Sequence, residues 1–136
     1  MPANTAPIFP LTPKIGIAKL TAANTLTDGT GTVGTVFTAG ANGARVDRLR
    51  CKALGTNVAT VVRVFYNNGG STATATNNSL IAERALPPTT AQNAGEIAAE
   101  IDIELDIAIP ASCLITICIG TAVSAGWQFT GIGGDY

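Results

Sequence analysis

The segment Glu100 to Ile107 reads Glu-Ile-Asp-Ile-Glu-Leu-Asp-Ile, an acid and an aliphatic residue in strict alternation. A period of two fits a strand, whose successive side chains point to opposite faces; a helix would smear the acids around its circumference. Ile101, Ile103, Leu105 and Ile107 are therefore expected to face a core, and Glu100, Asp102, Glu104 and Asp106 to face away from it. A chain built around such a strand is a layered β protein with one dry and one wet face per sheet.

The same period recurs along the chain. Ala44 to Leu54 puts Leu49, Cys51 and Ala53 on one face and Arg48, Arg50 and Lys52 on the other. Val58 to Asn67 is a β-branched run that stops at Asn67-Asn68-Gly69-Gly70, a turn signal. Ile15–Leu20, Thr32–Ala39, Ser79–Leu86, Cys113–Ile119 and Gly126–Ile132 also read as strands. Trp127 and Phe129 are expected core anchors. Turns are expected at Asp28–Gly31, Gly40–Gly43 and Pro87-Pro88. Ser71 to Asn78 reads as a loop or a polar edge strand, and Ala91 to Glu100 as one helical turn at most. The pattern predicts an all-β fold, an antiparallel β-sandwich of about eight strands and of jelly-roll or Greek-key type. Periodicity leaves the strand order open.

A length of 136 residues without a dividing linker argues for one domain. Within it, residues 15–136 are assigned to the sandwich and 1–14 to an extended arm. Pro2, Pro7, Pro10 and Pro13 exclude a helix in the arm and disfavour ladder pairing. Ile8, Phe9 and Leu11 lie between them and need apolar cover, from the chain's own sheet or from a neighbour's surface.

Charged residues make up 12% of the chain, against about 25% in a typical soluble domain, and the net charge is −1. Thr, Asn, Ala and Gly take their place, and uncharged polar surface costs little to desolvate. No basic field is available to hold nucleic acid. Histidine is absent, which removes the residue most used for proton transfer near neutral pH and the commonest metal ligand. Cys51, Cys113 and Cys118 form no disulfide framework or zinc pattern and are expected as buried thiols. The start, Met1-Pro2-Ala3-Asn4, lacks the basic and apolar regions of a leader, and there is no run of about 18 apolar residues to span a membrane. No enzymatic activity, cofactor, metal, nucleic-acid partner or membrane partner is expected.

Two charged rows need weighing. Alternate acids on one strand face lie roughly 6.5–7 Å apart. That spacing suits the carboxylate pair of an inverting glycosidase, or part of a calcium cage. Four like charges in a row also repel, and the commoner arrangement pairs them with cations on the next strand. Arg45, Arg48, Arg50, Lys52, Arg63 and Arg84 are the cations at hand. The row Arg48, Arg50, Lys52 would then meet either the acidic strand or the acidic surface of another protein. The Gly-x-Gly at Gly29–Gly31 precedes a strand and not a helix, so it reads as a turn, not a phosphate loop. The tail Gly131 to Tyr136 carries three glycines and is expected to be flexible, with Tyr136 free to dock a partner.

Three stretches together resemble small structural virion proteins of tailed bacteriophages. They are Pro7-Ile8-Phe9-Pro10-Leu11-Thr12-Pro13-Lys14-Ile15, the block from Asp28 to Gly70, and Gly120 to Tyr136. The resemblance implies a β-sandwich acting as a capsid decoration (cement) protein. Such a protein binds the outer capsid surface, bridges capsomers, and has the major capsid protein and further copies of itself, as dimer or trimer, for partners. It implies a virion location after synthesis in the host cytoplasm. Ile8, Phe9, Leu11, Arg48, Arg50, Lys52 and Tyr136 are the candidate partner-binding residues. Other readings are a phage tail or neck component, a lectin-like cell-surface-binding module using Trp127, Tyr66 or Tyr136, and a glycosidase using Glu104.

Overall fold

The computed structural model describes residues 9–92 and 94–136, so Ile8 lies outside the described residues. Period-two runs become strands: β1 (Thr12–Leu20), β2 (Gly34–Thr38), β3 (Ala44–Ala53), β4 (Thr60–Asn67), β5 (Asn78–Leu86), β6 (Glu100–Ile109), β7 (Leu114–Ile119) and β8 (Trp127–Asp135). A short 3₁₀ turn, Ala75–Asn77, lies within the polar stretch Ser71–Asn78, whose last residue starts β5. Two four-stranded sheets result, ordered β1-β8-β3-β6 and β2-β7-β4-β5. Every pairing between these strands is antiparallel, and β1 pairs with β8, β2 with β7, β3 with β6 and β4 with β5. The chain thus folds as one long hairpin whose two arms roll up together, with β3·β8 and β4·β7 closing the sheets. That winding is the jelly roll, and it supplies the strand order that periodicity left open.

The core lies between the sheets. Trp127, Phe129, Phe37, Leu49, Val62, Val64, Ile115, Ile117 and Ile119 are fully buried there. Phe65 and Cys118 are buried on the opposite face of the second sheet. The segment 21–33 crosses that face, where the Cys118 thiol donates to the Asn24 carbonyl. Asn24 folds this segment: its amide donates to the Thr30 and Thr32 carbonyls and its oxygen accepts the Leu26 N–H. Thr32 is thereby held in the loop, and β2 starts at Gly34, later than the sequence pattern suggests.

The tail departs most from expectation. Gly131 to Asp135 is not a flexible end; it is the second half of β8, paired with β1 on one side and β3 on the other. Its glycines answer to crowding. A Cβ on Gly131 would lie 2.4 Å from the Val36 carbonyl oxygen, and one on Gly133 2.1 Å from that of Arg45. Strand β1 likewise starts at Thr12, so Thr12, Pro13 and Lys14 pair with Asp135, Gly134 and Gly133.

Asp135 locks this corner. Its carboxylate accepts from Lys14 Nζ at 3.0 Å and from the Gly40 N–H at 2.9 Å. The Lys14 hydrogen bond, helped by the Gly40 N–H, holds the Asp135 carboxyl below its ordinary value of 3.8. A group whose pKa is depressed by folding stabilises the fold while ionised. That contribution is complete above the ordinary value and is lost as pH falls through the depressed one. Melting temperature should therefore stay level from about pH 7 to about pH 5 and drop below about pH 4. Asp135→Asn should melt lower at neutral pH and show a shallower acid drop. Parallel acid profiles for the two proteins would refute the lock.

Candidate interaction surface

Strand β1 inverts the usual arrangement of a half-buried strand. Its inward positions are Lys14, Gly16, Ala18 and Leu20, and its outward positions include Ile15 and Ile17. A Cβ on Gly16 would sit 1.8 Å from the Val36 carbonyl oxygen of β2, so the two sheets meet there backbone to backbone. Small residues, Gly16 and Ala18, take the inward positions at that corner, and Ile15 and Ile17 point outward. Ile15 and Ile17 are each 65% exposed, and Leu11 and Phe9, just before the strand, are 83% and 71% exposed. Ile132 of β8 lies beside Ile15 in the ladder and is half-buried. The result is an apolar row along one edge of the first sheet. Burying one such side chain fully against a partner stabilises by about 1.5–3 kcal/mol relative to full exposure, and proportionately less where it is already partly covered.

The other half of the same outer face is charged and internally paired. Arg48, Arg50 and Lys52 of β3 lie opposite Glu104, Asp102 and Glu100 of β6. Arg50 grips Asp102 with two hydrogen bonds, 2.9 and 3.1 Å, and Lys52 reaches Glu100 at 3.1 Å. Arg48 approaches Asp102 at 3.7 Å, and Arg45 approaches Asp106 at 3.5 Å. The Arg50 hydrogen bond holds the Asp102 carboxyl below its ordinary value, with the Arg50 and Arg48 charges adding to it. The acidic row thus meets its cations on the neighbouring strand. Among the described residues no group of acids, histidines or cysteines is arranged to hold a metal ion.

The remaining candidate residues stand as follows. Tyr136 is half-buried and tied at its backbone, its N–H donating to the Gly43 carbonyl. Trp127 is fully buried, so it offers no ring for a sugar to stack on. All three cysteines are buried thiols. Burial pushes Cys51 up to about 12, where it is inert as a nucleophile at neutral pH. A surface depression of about 750 Å³ lies between β6 and the segment before it, lined by Lys52, Pro88, Thr89, Gln92, Ile97 and Glu100. Its charged groups are the paired Lys52 and Glu100. Among the described residues no helix is long and apolar enough to cross a membrane.

Ile15 and Ile17 belong to the surface but were not singled out from sequence, which placed them on a strand without choosing its face. The signal was there in Ile15-Gly16-Ile17-Ala18, where the smaller member of each pair marks the crowded side.

No family model and no curated protein matches this chain. Among solved structures it is similar to capsid components of infectious bursal disease virus. The chain in the T13 particle of that virus aligns with a TM-score of 0.35 and 13% identity over 98% of this chain. The Gx strain gives 0.31 and 13%, also over 98%. A mutant VP2 protein of the same virus, in T=1 particles, gives 0.28 and 15%. This chain spans 36–38% of the length of those proteins. The jelly-roll assignment rests on strand order and register and not on these alignments.

Proposed function

We propose that this chain is a structural protein of a virus particle, and more narrowly a capsid decoration protein that binds the outer shell and bridges its subunits. On this reading it is not an enzyme. One observation carries the proposal: the apolar row Phe9, Leu11, Ile15, Ile17, left uncovered beside a charged patch that is largely paired within itself, Arg50 with Asp102 and Lys52 with Glu100. Such a face has little electrostatic reach and gains free energy by being covered, which fits docking on another protein surface. The likeness of three stretches to small virion proteins of tailed phages supports the finer role. The arm preceding β1 would extend the contact, with Phe9 and Leu11 as its apolar anchors.

Cryo-electron microscopy of purified particles with and without the chain tests this. Extra density on the outer shell is expected only when the chain is present. Identical maps would refute a virion role, and density confined to the tail or neck would replace decoration by that role. A chain lacking residues 1–10 keeps all of β1 and should fold. It should occupy fewer shell sites, and full occupancy would remove the arm from the interface.

A further inference from the structure

The sheets have four edges, and three carry through their middles a device that discourages pairing with another strand, whereas β1 carries such residues only toward its ends, Pro13 and Lys14 at one and Lys19 at the other. Edge β6 bears Glu100, Asp102, Glu104 and Asp106 and is bulged, with Asp106 in the left-handed region at φ 48°. Edge β5 is bulged at Ile81, between the pairings of Ala82 with Val64 and of Leu80 with Phe65 of β4, and exposes Glu83 and Arg84. Edge β2 has five residues and is bulged at Val36. Charge, bulges and shortness are how folded proteins blunt open strands. Edge β1 has none of them along its middle. It runs nine residues in unbroken register with β8, and Ile15-Gly16-Ile17-Ala18 carries no charge. Its one strand neighbour is β8, so the backbone groups on its far side have no strand partner among the described residues.

We propose that β1 pairs antiparallel with β1 of a second copy of this chain, about a two-fold axis at Gly16. Ile15 then lies opposite Ile17 of the second copy, and Ile17 opposite its Ile15, aliphatic cross-strand pairs of the kind that stabilise sheets. Pro13 lies opposite Lys19. The two Lys19 side chains end up about 20 Å apart, beyond the Debye length of about 8 Å, and Lys14 is already neutralised by Asp135. No like charges face each other. Edge β6 fails the same test: any antiparallel self-pairing that keeps its aliphatic face inward sets carboxylate against carboxylate. The occupant is a second copy because β1 is complementary to itself in both apolar pattern and charge. The joined sheet would have eight strands, and a two-fold contact of this kind closes at two copies. Pairing covers the strand edge and leaves the outer face open, so the apolar row is doubled and not consumed.

The dimer is expected of the isolated 136-residue chain and does not depend on the virion reading, since its test needs no particle. Sedimentation equilibrium should show a dimer. Ile15→Lys and Ile17→Lys should each weaken it by about tenfold or more, because symmetry counts every substitution twice. Both side chains point to solvent in the single chain, so circular dichroism should stay near that of the parent, as should the melting temperature at concentrations too low for the dimer to form. The double variant Ile15→Cys/Ile17→Cys should form a covalent dimer on mild oxidation, linked between positions 15 and 17, because all three native cysteines are buried. That cross-link decides the matter if a lysine variant misfolds. A monomeric parent chain, a trimer, a dimer indifferent to both lysines, or a dimer that refuses the cross-link would overturn the proposal.

Discussion

Asn57→Ala should destabilise the fold by about 3–4 kcal/mol, the largest effect expected of any single polar truncation here. Asn57 is 3% exposed and makes five hydrogen bonds through its side chain. Its amide donates to the carbonyls of Gly55 and Gly126 and to Thr89 Oγ1; its oxygen accepts the N–H groups of Ala125 and Gly126. Three loops meet on this one residue: the turn after β3, the exit from β5 and the turn into β8. Alanine would leave buried backbone donors and acceptors without partners, and each orphan costs about 1–3 kcal/mol when no water reaches it. The drop in melting temperature should be roughly 10–15 °C for a chain of this size. Thr89→Ala removes one of those partners and one further bond to Gly55, so it should cost much less. A calorimetric scan placing Asn57→Ala within about 2 °C of the parent would show that the loops are held by other means.

The roles of Asn57 and Asn24 mark where the sequence stops being legible. The strands could be read because burial imposes a period of two, and every such run became a strand. Charge pairing between the rows at Arg48–Lys52 and Glu100–Glu104 could be anticipated, because repulsion within one row demands a neighbour of opposite sign. An asparagine gives no such signal. Its side chain can cap any turn that comes within reach, and the turns that Asn57 joins lie 32 and 69 residues away along the chain. The asparagine-rich composition was read as easily desolvated surface, yet Asn24, Asn57 and Asn67 are buried. The tail failed for a related reason. Three glycines in six residues look the same whether they loosen a terminus or admit a neighbouring backbone, and only the rolled-up pairing of β8 between β1 and β3 decides between the two. The apolar row on β1 is half visible: Phe9 and Leu11 stand out among prolines, while a strand at Ile15–Leu20 leaves open which face Ile15 and Ile17 take.

Gly16→Ala should be the most damaging one-carbon change in the chain, and it tests the packing that turns Ile15 and Ile17 outward. The added methyl would sit 1.8 Å from the Val36 oxygen and 2.5 Å from its carbonyl carbon. Both are backbone atoms, so no rotamer change relieves the clash. Val36 is the bulged residue of β2, between the pairings of Thr35 and Phe37 with β7, and its own side chain is buried. Relief therefore requires either β1 to lift from β2 or the bulge to unwind, and both open the core beside Phe37. Overpacking of a yielding core costs about 1–3 kcal/mol; a clash against fixed backbone should exceed that, enough to prevent folding or to lower the melting temperature by more than about 10 °C. Gly95→Ala is the control, because nothing lies within 4 Å of its would-be Cβ, and it should leave stability unchanged. If Gly16→Ala melts like Gly95→Ala, the sheets do not approach at that corner. Ile15 and Ile17 would then be free to turn inward, and the exposed row would lose its physical cause.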